Sequence, residues 1–225
     1  MKKLNEIFDL IFRTLPGYAF GLLTFSIGML GAILAILLSP EYIMWEKSMS
    51  ILGHQTGGIY LRFGFIISGL MGIPFFVYLG RKVNHETINE YLIKIAVLAG
   101  IISMLSVIFS GIFSGVNEFI SNLHGMFALF GWLSGTAFCL LFSIIILKNP
   151  SFTKIQAYIG FLITGIFIYY LVPFFITNFC NYFTNICYEF GRRVYLIMPV
   201  SEWIVYFSTL IWFLINSSYI LYKKI

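Results

Sequence analysis

The sequence predicts an all-α polytopic membrane protein, a bundle of six transmembrane helices with both termini in the cytoplasm. Three observations lead there. Of the 225 residues, 60% are hydrophobic and 10% are charged, against roughly 25% charged in a soluble domain. Apolar runs of about 20 residues, the length that crosses a bilayer, recur six times, and none alternates with the period-two pattern of a membrane barrel. The basic residues then sort by side of the membrane. These features exclude a soluble enzyme, a nucleic-acid binder and a disordered chain.

Residues 1–14 come first. Leu4, Ile7, Phe8 and Ile11 recur at helical spacing with charged residues opposite, which predicts a short amphipathic helix lying on the cytoplasmic leaflet. No small-residue cleavage site follows, so the segment does not read as a signal peptide. Residues 15–225 then read as one transmembrane domain. The first span runs from Gly17 to Leu38, entered after Pro16 and closed by Ser39-Pro40. The second covers Ile59 to Leu79, with Arg62 near its start, and the third Tyr91 to Phe113. The fourth is His124 to Leu147, the fifth Ile155 to Ile176, and the sixth Glu202 to Leu221. The sequence shows no internal repeat and no soluble domain.

Orientation follows from the charges. Lys2, Lys3, Arg13, Arg81, Lys82, Lys94, Lys148, Lys154, Lys223 and Lys224 fall on one side; Lys47, Arg62, Arg192 and Arg193 fall on the other. This is a positive-inside bias. It accounts for the net charge of +5 and places the loops at 39–58, 114–123 and 177–201 outside.

Chemistry-bearing residues are few. Cys139 reads as a small buried residue inside span four. Cys180 and Cys187 share the last outer loop and are either bridged, if that side is oxidising, or two free thiols. Gly111–Gly115 and Gly131–Gly135 are GxxxG patterns that suit close helix packing within the bundle. No metal or cofactor motif occurs among His54, His85 and His124, so no metal, haem or other cofactor is expected beyond a bound lipid. No carboxylate lies mid-span, which argues against an ion-coupled transporter.

One cluster stands out. Arg62, Glu118, Asn122, His124 and Glu202 all map to outer span ends, with Trp203 beside the last. Charges there are costly unless paired or hydrated, so Arg62, Glu118, His124 and Glu202 are expected to converge in one pocket. Arg62 is expected to pair with a carboxylate, Glu202 by preference. The cluster reads either as a salt bridge sealing the bundle or as a lipid head-group site, with His124 bonding a phosphate or hydroxyl. Arg192-Arg193 lies nearby and suits lipid phosphate or solvent.

Three segments together carry a family resemblance. They are Ser48-Met-Ser-Ile-Leu-Gly53 leading to Phe63-Gly-Phe-Ile-Ile-Ser-Gly69; Phe113-Ser-Gly-Val-Asn117 followed by Asn122-Leu-His-Gly-Met-Phe; and Ser201-Glu-Trp-Ile-Val-Tyr-Phe-Ser with a basic tail. Their order and spacing resemble the six-span damage-regulated autophagy modulators, grouped with GPI-anchor lipid-remodelling proteins and prokaryotic membrane proteins of unknown function. His124, Glu202 and Trp203 are the matching positions. Where the family often has an acidic residue after the outer-loop serine, Ser50 is followed here by Ile51. The resemblance implies lipid-linked membrane biology.

Three functions compete at this point. The first is a non-enzymatic integral membrane protein whose outer polar pocket binds lipid head groups. The second is an accessory subunit of a larger membrane complex, with Tyr206, Trp212 and Phe213 facing a partner. The third is a lipid-modifying enzyme with His124 as base, oriented by Glu202. The partners expected are membrane lipids and, on the second reading, other membrane subunits. The location is the plasma membrane of a prokaryote or an endomembrane of a eukaryote. The topology is testable: Glu46→Cys and Lys148→Cys should react with an impermeant maleimide from opposite sides, and labelling of both from outside would overturn the scheme.

Overall fold

The computed structural model describes residues 2–114, 117–181 and 186–224, with side chains from Glu6 onward. The side chains of Lys2, Lys3 and Leu4, the last belonging to the predicted apolar stripe, and Gly115 of the first GxxxG pattern lie outside the described set. Helices dominate: α1 Lys2–Thr14, α2 Gly17–Leu37, α3 Met49–Leu52, α4 Gly58–Lys82, α5 Glu90–Ile112, α6 Glu118–Lys148, α7 Lys154–Cys180, α8 Ile186–Tyr195 and α9 Met198–Lys223. Among the described residues there is no strand. Six of these helices, α2, α4, α5, α6, α7 and α9, are long and apolar enough to cross a bilayer. The protein is an integral, multi-pass membrane protein of the all-α class.

Local chemistry sets the ends of these helices. Asn89 and Asn117 cap α5 and α6, their side chains accepting from Tyr91 N (2.8 Å) and Phe119 N (2.9 Å), which satisfies backbone donors that the first helical turn leaves orphaned. Before α7, the Gln156 side chain reaches back to the Thr153 N–H at 3.2 Å. Pro16 precedes α2, and Pro199 sits in the first turn of α9, where a missing N–H is harmless. Two starts differ from the sequence reading. α6 begins at Glu118, ahead of His124, and α9 at Met198, ahead of Glu202. Both residues therefore sit in the second turn of a helix and do not open it.

The six long helices form a ring. Neighbours pack in the order α2–α4–α5–α6–α7–α9 and back to α2. Small residues allow the tightest crossings: a Cβ on Gly31 would lie 2.8 Å from Gly64 Cα, and one on Gly111 would lie 2.9 Å from the Arg62 carbonyl oxygen. A Cβ on Gly135 would lie 2.6 Å from the Phe167 ring. The glycines of both GxxxG patterns that are described thus serve packing inside the bundle. One half of the ring, towards the chain termini, is filled with aromatic side chains. Phe76 is the hub, with ring centroids 4.7 Å from Phe138, 5.4 Å from Phe213, 5.7 Å from Trp212 and 5.9 Å from Phe142. α1 docks below this plug through Phe12 against Tyr78 (5.4 Å) and an Asp9–Arg81 ion pair of 2.6 Å.

The turns between α2 and α4, between α5 and α6, and between α7 and α9 share the opposite, distal face. The distal half of the ring holds less, and a cavity occupies it. If the aromatic plug holds the ring together, Phe76→Ala should lower stability by about 3–5 kcal/mol in denaturation from detergent micelles. Phe119→Ala, at a residue 71% exposed, should leave it unchanged.

Candidate functional site

Backbone ends assemble the site. The last carbonyls of a helix and its first N–H groups have no intrahelical partner, and within a bilayer such groups must be satisfied by protein. Two distal turns, α2–α4 and α5–α6, meet this need with the polar side chains that the sequence singles out. α5 ends at Ile112, and the Ser110 carbonyl near its end accepts from His124 Nδ1 at 2.9 Å. The Ser114 carbonyl, just past that end, accepts from Arg62 Nη1 at 3.4 Å. At the start of α3, the Met49 N–H donates to Glu202 Oε2 at 2.8 Å.

His124 makes a second contact, with its Nε2 lying 3.1 Å from Ser50 Oγ. The direction of this bond follows from the first. A carbonyl can only accept, so Nδ1 carries the proton, and in the neutral imidazole Nε2 presents a lone pair to the Ser50 hydroxyl. One turn on from His124, Phe127 stacks on Phe109 (4.8 Å) and Phe113 (5.5 Å) at the end of α5. Ser50 is held by α3, and α3 in turn by Glu202. Trp203 Nε1 donates to the Tyr42 hydroxyl at 2.8 Å, and that hydroxyl donates to the Lys47 carbonyl at 2.8 Å. Burial pushes the Tyr42 hydroxyl up to about 12, so it keeps its proton and its role as a donor.

Arg62, His124, Ser50 and Glu202 border a cavity of about 120 Å³, well above the roughly 15 Å³ that a single water requires. Its distal end is lined by Ser50, Gly53, Arg62, Ser114, His124 and Glu202. Along α9 the lining continues from Glu202 through Tyr206 to Phe213, a depth of about 16 Å at 1.5 Å per residue, roughly half of a bilayer core. The deeper wall is mostly apolar, with Phe65, Met104, Trp132, Phe167 and Leu210, and is dotted with the hydroxyls of Ser68, Ser103, Ser106 and Thr209. One side is thinly covered: no residue of α6 from Glu118 to Phe130 is buried.

The predicted cluster is therefore realised in part. Arg62, His124 and Glu202 line one cavity. Glu118 and Asn122 are exposed on α6, because the early start of that helix turns them away from the ring. Trp203 is buried but packs against the loop after α2. The expected ion pair does not form: among the described residues the ion pairs are Arg81–Asp9 and Lys94–Glu90, and Glu202 is engaged by a backbone donor. Nor is Glu202 the orienter of His124; the Ser110 carbonyl holds that position. Ser110 and Ser114 are contributors that residue-level reading misses, and Ser50 enters that reading only as the outer-loop serine of a family segment, with no role assigned. Serine is common in membrane helices, and nothing in its spacing marks these three.

Cys180 and Cys187 are joined in a disulfide, with Cα atoms 5.1 Å apart, which clamps the start of α8 to the end of α7. Arg192 and Arg193 line a separate surface cavity between α7, α8 and α9. Cys139 is fully buried. No group of His, Cys, Asp or Glu among the described residues is arranged to hold a metal ion.

The fold and site thus define a multi-pass membrane protein with an internal cavity whose polar end sits at the distal face. No protein-family model, curated protein or solved structure matches the chain. If Glu202 serves to satisfy the Met49 N–H, Glu202→Ala should cost roughly 1–3 kcal/mol, the penalty of an orphaned buried donor, in a thermal melt in detergent. Glu202→Gln keeps an acceptor oxygen and should melt much closer to the parent. Equal losses in the two variants would overturn this role.

Proposed function

We propose that the protein binds a membrane lipid in the distal cavity, with the head group against Arg62, His124 and Ser50 and an acyl chain along the apolar wall of α9. The observation that carries this reading is the combination of a polar mouth with a mostly apolar wall beneath it, the lining as a whole extending about 16 Å along α9, inside a bundle that a bilayer surrounds. Arg62 is half-buried at that mouth, with neither Glu118 nor Glu202 in an ion pair with it. A guanidinium so placed suits a phosphate oxygen, and the thinly covered flank of α6 gives a lipid a sideways route in. The charge bias of the loops makes the distal face the outer one, so the lipid comes from the outer leaflet. The resemblance to lipid-remodelling proteins agrees with this reading.

Tyr206, Trp212 and Phe213 carry the accessory-subunit reading, and they do not present a partner surface. Trp212 and Phe213 are each 1% exposed, inside the aromatic plug. Tyr206 lines the cavity and donates to the Gly28 carbonyl at 2.7 Å.

Protein purified from vesicles of phosphatidylglycerol and phosphatidylcholine should retain phosphatidylglycerol in native mass spectrometry. Arg62→Gln should reduce that retention roughly tenfold, the loss expected of about 1.5 kcal/mol from a charged hydrogen bond. Glu118→Gln, outside the cavity, should not change it. Equal retention by the parent and Arg62→Gln would overturn the placement of the head group.

A further inference from the structure

The contact between Ser50 and His124 does more than close a hydrogen bond. A serine hydroxyl 3.1 Å from an imidazole nitrogen, with the other ring nitrogen fixed at 2.9 Å on an acceptor-only carbonyl, is the arrangement that serine nucleophiles use. The Ser110 carbonyl stands where a triad has its carboxylate: it fixes the tautomer with the lone pair on the serine side. Both reactive groups line the cavity, and neither side chain is fully buried. Arg62 is the one arginine or lysine lining it among the described residues.

We infer that Ser50 and His124 form a nucleophile–base dyad that cleaves a carboxylic ester of the lipid bound in the distal cavity, an inference that rests on the lipid-binding reading above. Ser50 Oγ attacks the ester carbonyl carbon while His124 Nε2 takes the hydroxyl proton. The negative charge that gathers on the carbonyl oxygen develops in the cavity that Arg62 also lines. The carbon–oxygen bond to the lipid alcohol then breaks, and His124 returns its proton to the departing alkoxide, leaving an acyl ester on Ser50. Water attacks that ester, giving its proton to Nε2. The fatty acid leaves and Ser50 recovers its hydrogen. Ser50 and His124 are the catalytic residues; Ser110, through its carbonyl, is a positioning residue.

The hydrogen bond has a purely structural alternative, in which it only ties α3 to α6, and reactivity separates the two. A hexadecyl fluorophosphonate should phosphonylate the full-length protein in micelles, with peptide mass mapping placing the adduct on Ser50. His124→Gln should slow labelling roughly 100-fold or more, the usual share of a general base, and Ser50→Ala should abolish it. Vesicles of phosphatidylglycerol should yield free fatty acid and lysolipid with the parent, the same products roughly 100-fold or more slowly with His124→Gln, and neither product with Ser50→Ala. If Ser50→Ala fails to fold, Ser50→Cys replaces it: its thiol should react with iodoacetamide much faster when His124 is present than in the double variant with His124→Gln. Absence of an adduct on Ser50, in protein that still retains phosphatidylglycerol, would overturn the dyad and leave lipid binding standing. An adduct on Ser50 with no phosphatidylglycerol retained and no fatty acid or lysolipid released would overturn the lipid reading and the substrate assigned here.

Discussion

Orphaned backbone groups at the distal ends of the helices govern this protein. A buried amide or carbonyl without a partner costs several kcal/mol in hydrocarbon. At the distal turns, side chains from other helices supply the partners: His124 for α5, Arg62 for the chain just past it, and Glu202 for α3. Each bond ties a loop or helix end to a neighbouring span, so the turns are held and the ends of the ring fixed. The same solution appears on the opposite face, where Asn149 donates to the Val83 carbonyl at 3.0 Å and accepts from Ser151 N at 2.9 Å.

The two halves of the ring answer different demands. Towards the termini, Phe76 and its aromatic neighbours leave no room, and edge and offset contacts there fix the rotation of α4, α6 and α9 against one another. Towards the distal face, the helices carry serines, threonines and aromatics that do not fill the centre. A plug at one end and a polar brace at the other permit a cavity between them without collapse, because the helix spacing is set at both ends.

Satisfying the backbone also orients a side chain. The Ser110 carbonyl needs a donor, and the donor it receives is a histidine nitrogen. That choice fixes the tautomer and turns the remaining nitrogen towards Ser50. Glu202, expected to neutralise Arg62, is used instead to seat the short helix that carries Ser50. Arg62 is thereby left at the cavity mouth as a cation without a carboxylate partner among the described ion pairs. This disposition suits an anionic guest better than a sealed salt bridge would.

The sequence by itself determined the class of fold and the course of the chain, because bilayer thickness and the scarcity of charge leave few options for runs such as Gly17–Leu37 or Glu90–Ile112. It also marked Arg62, His124 and Glu202, since charged and titratable groups at span ends are conspicuous against an apolar background. It placed Glu118 and Asn122 with them wrongly: hydropathy locates a span but not its first turn, and the early start of α6 carries both outwards. Only the tertiary structure decided who pairs with whom. Partners here are backbone carbonyls and amides, which no side-chain pattern encodes. Ser50 meets His124 across 74 positions of chain because ring closure brings the distal turns together.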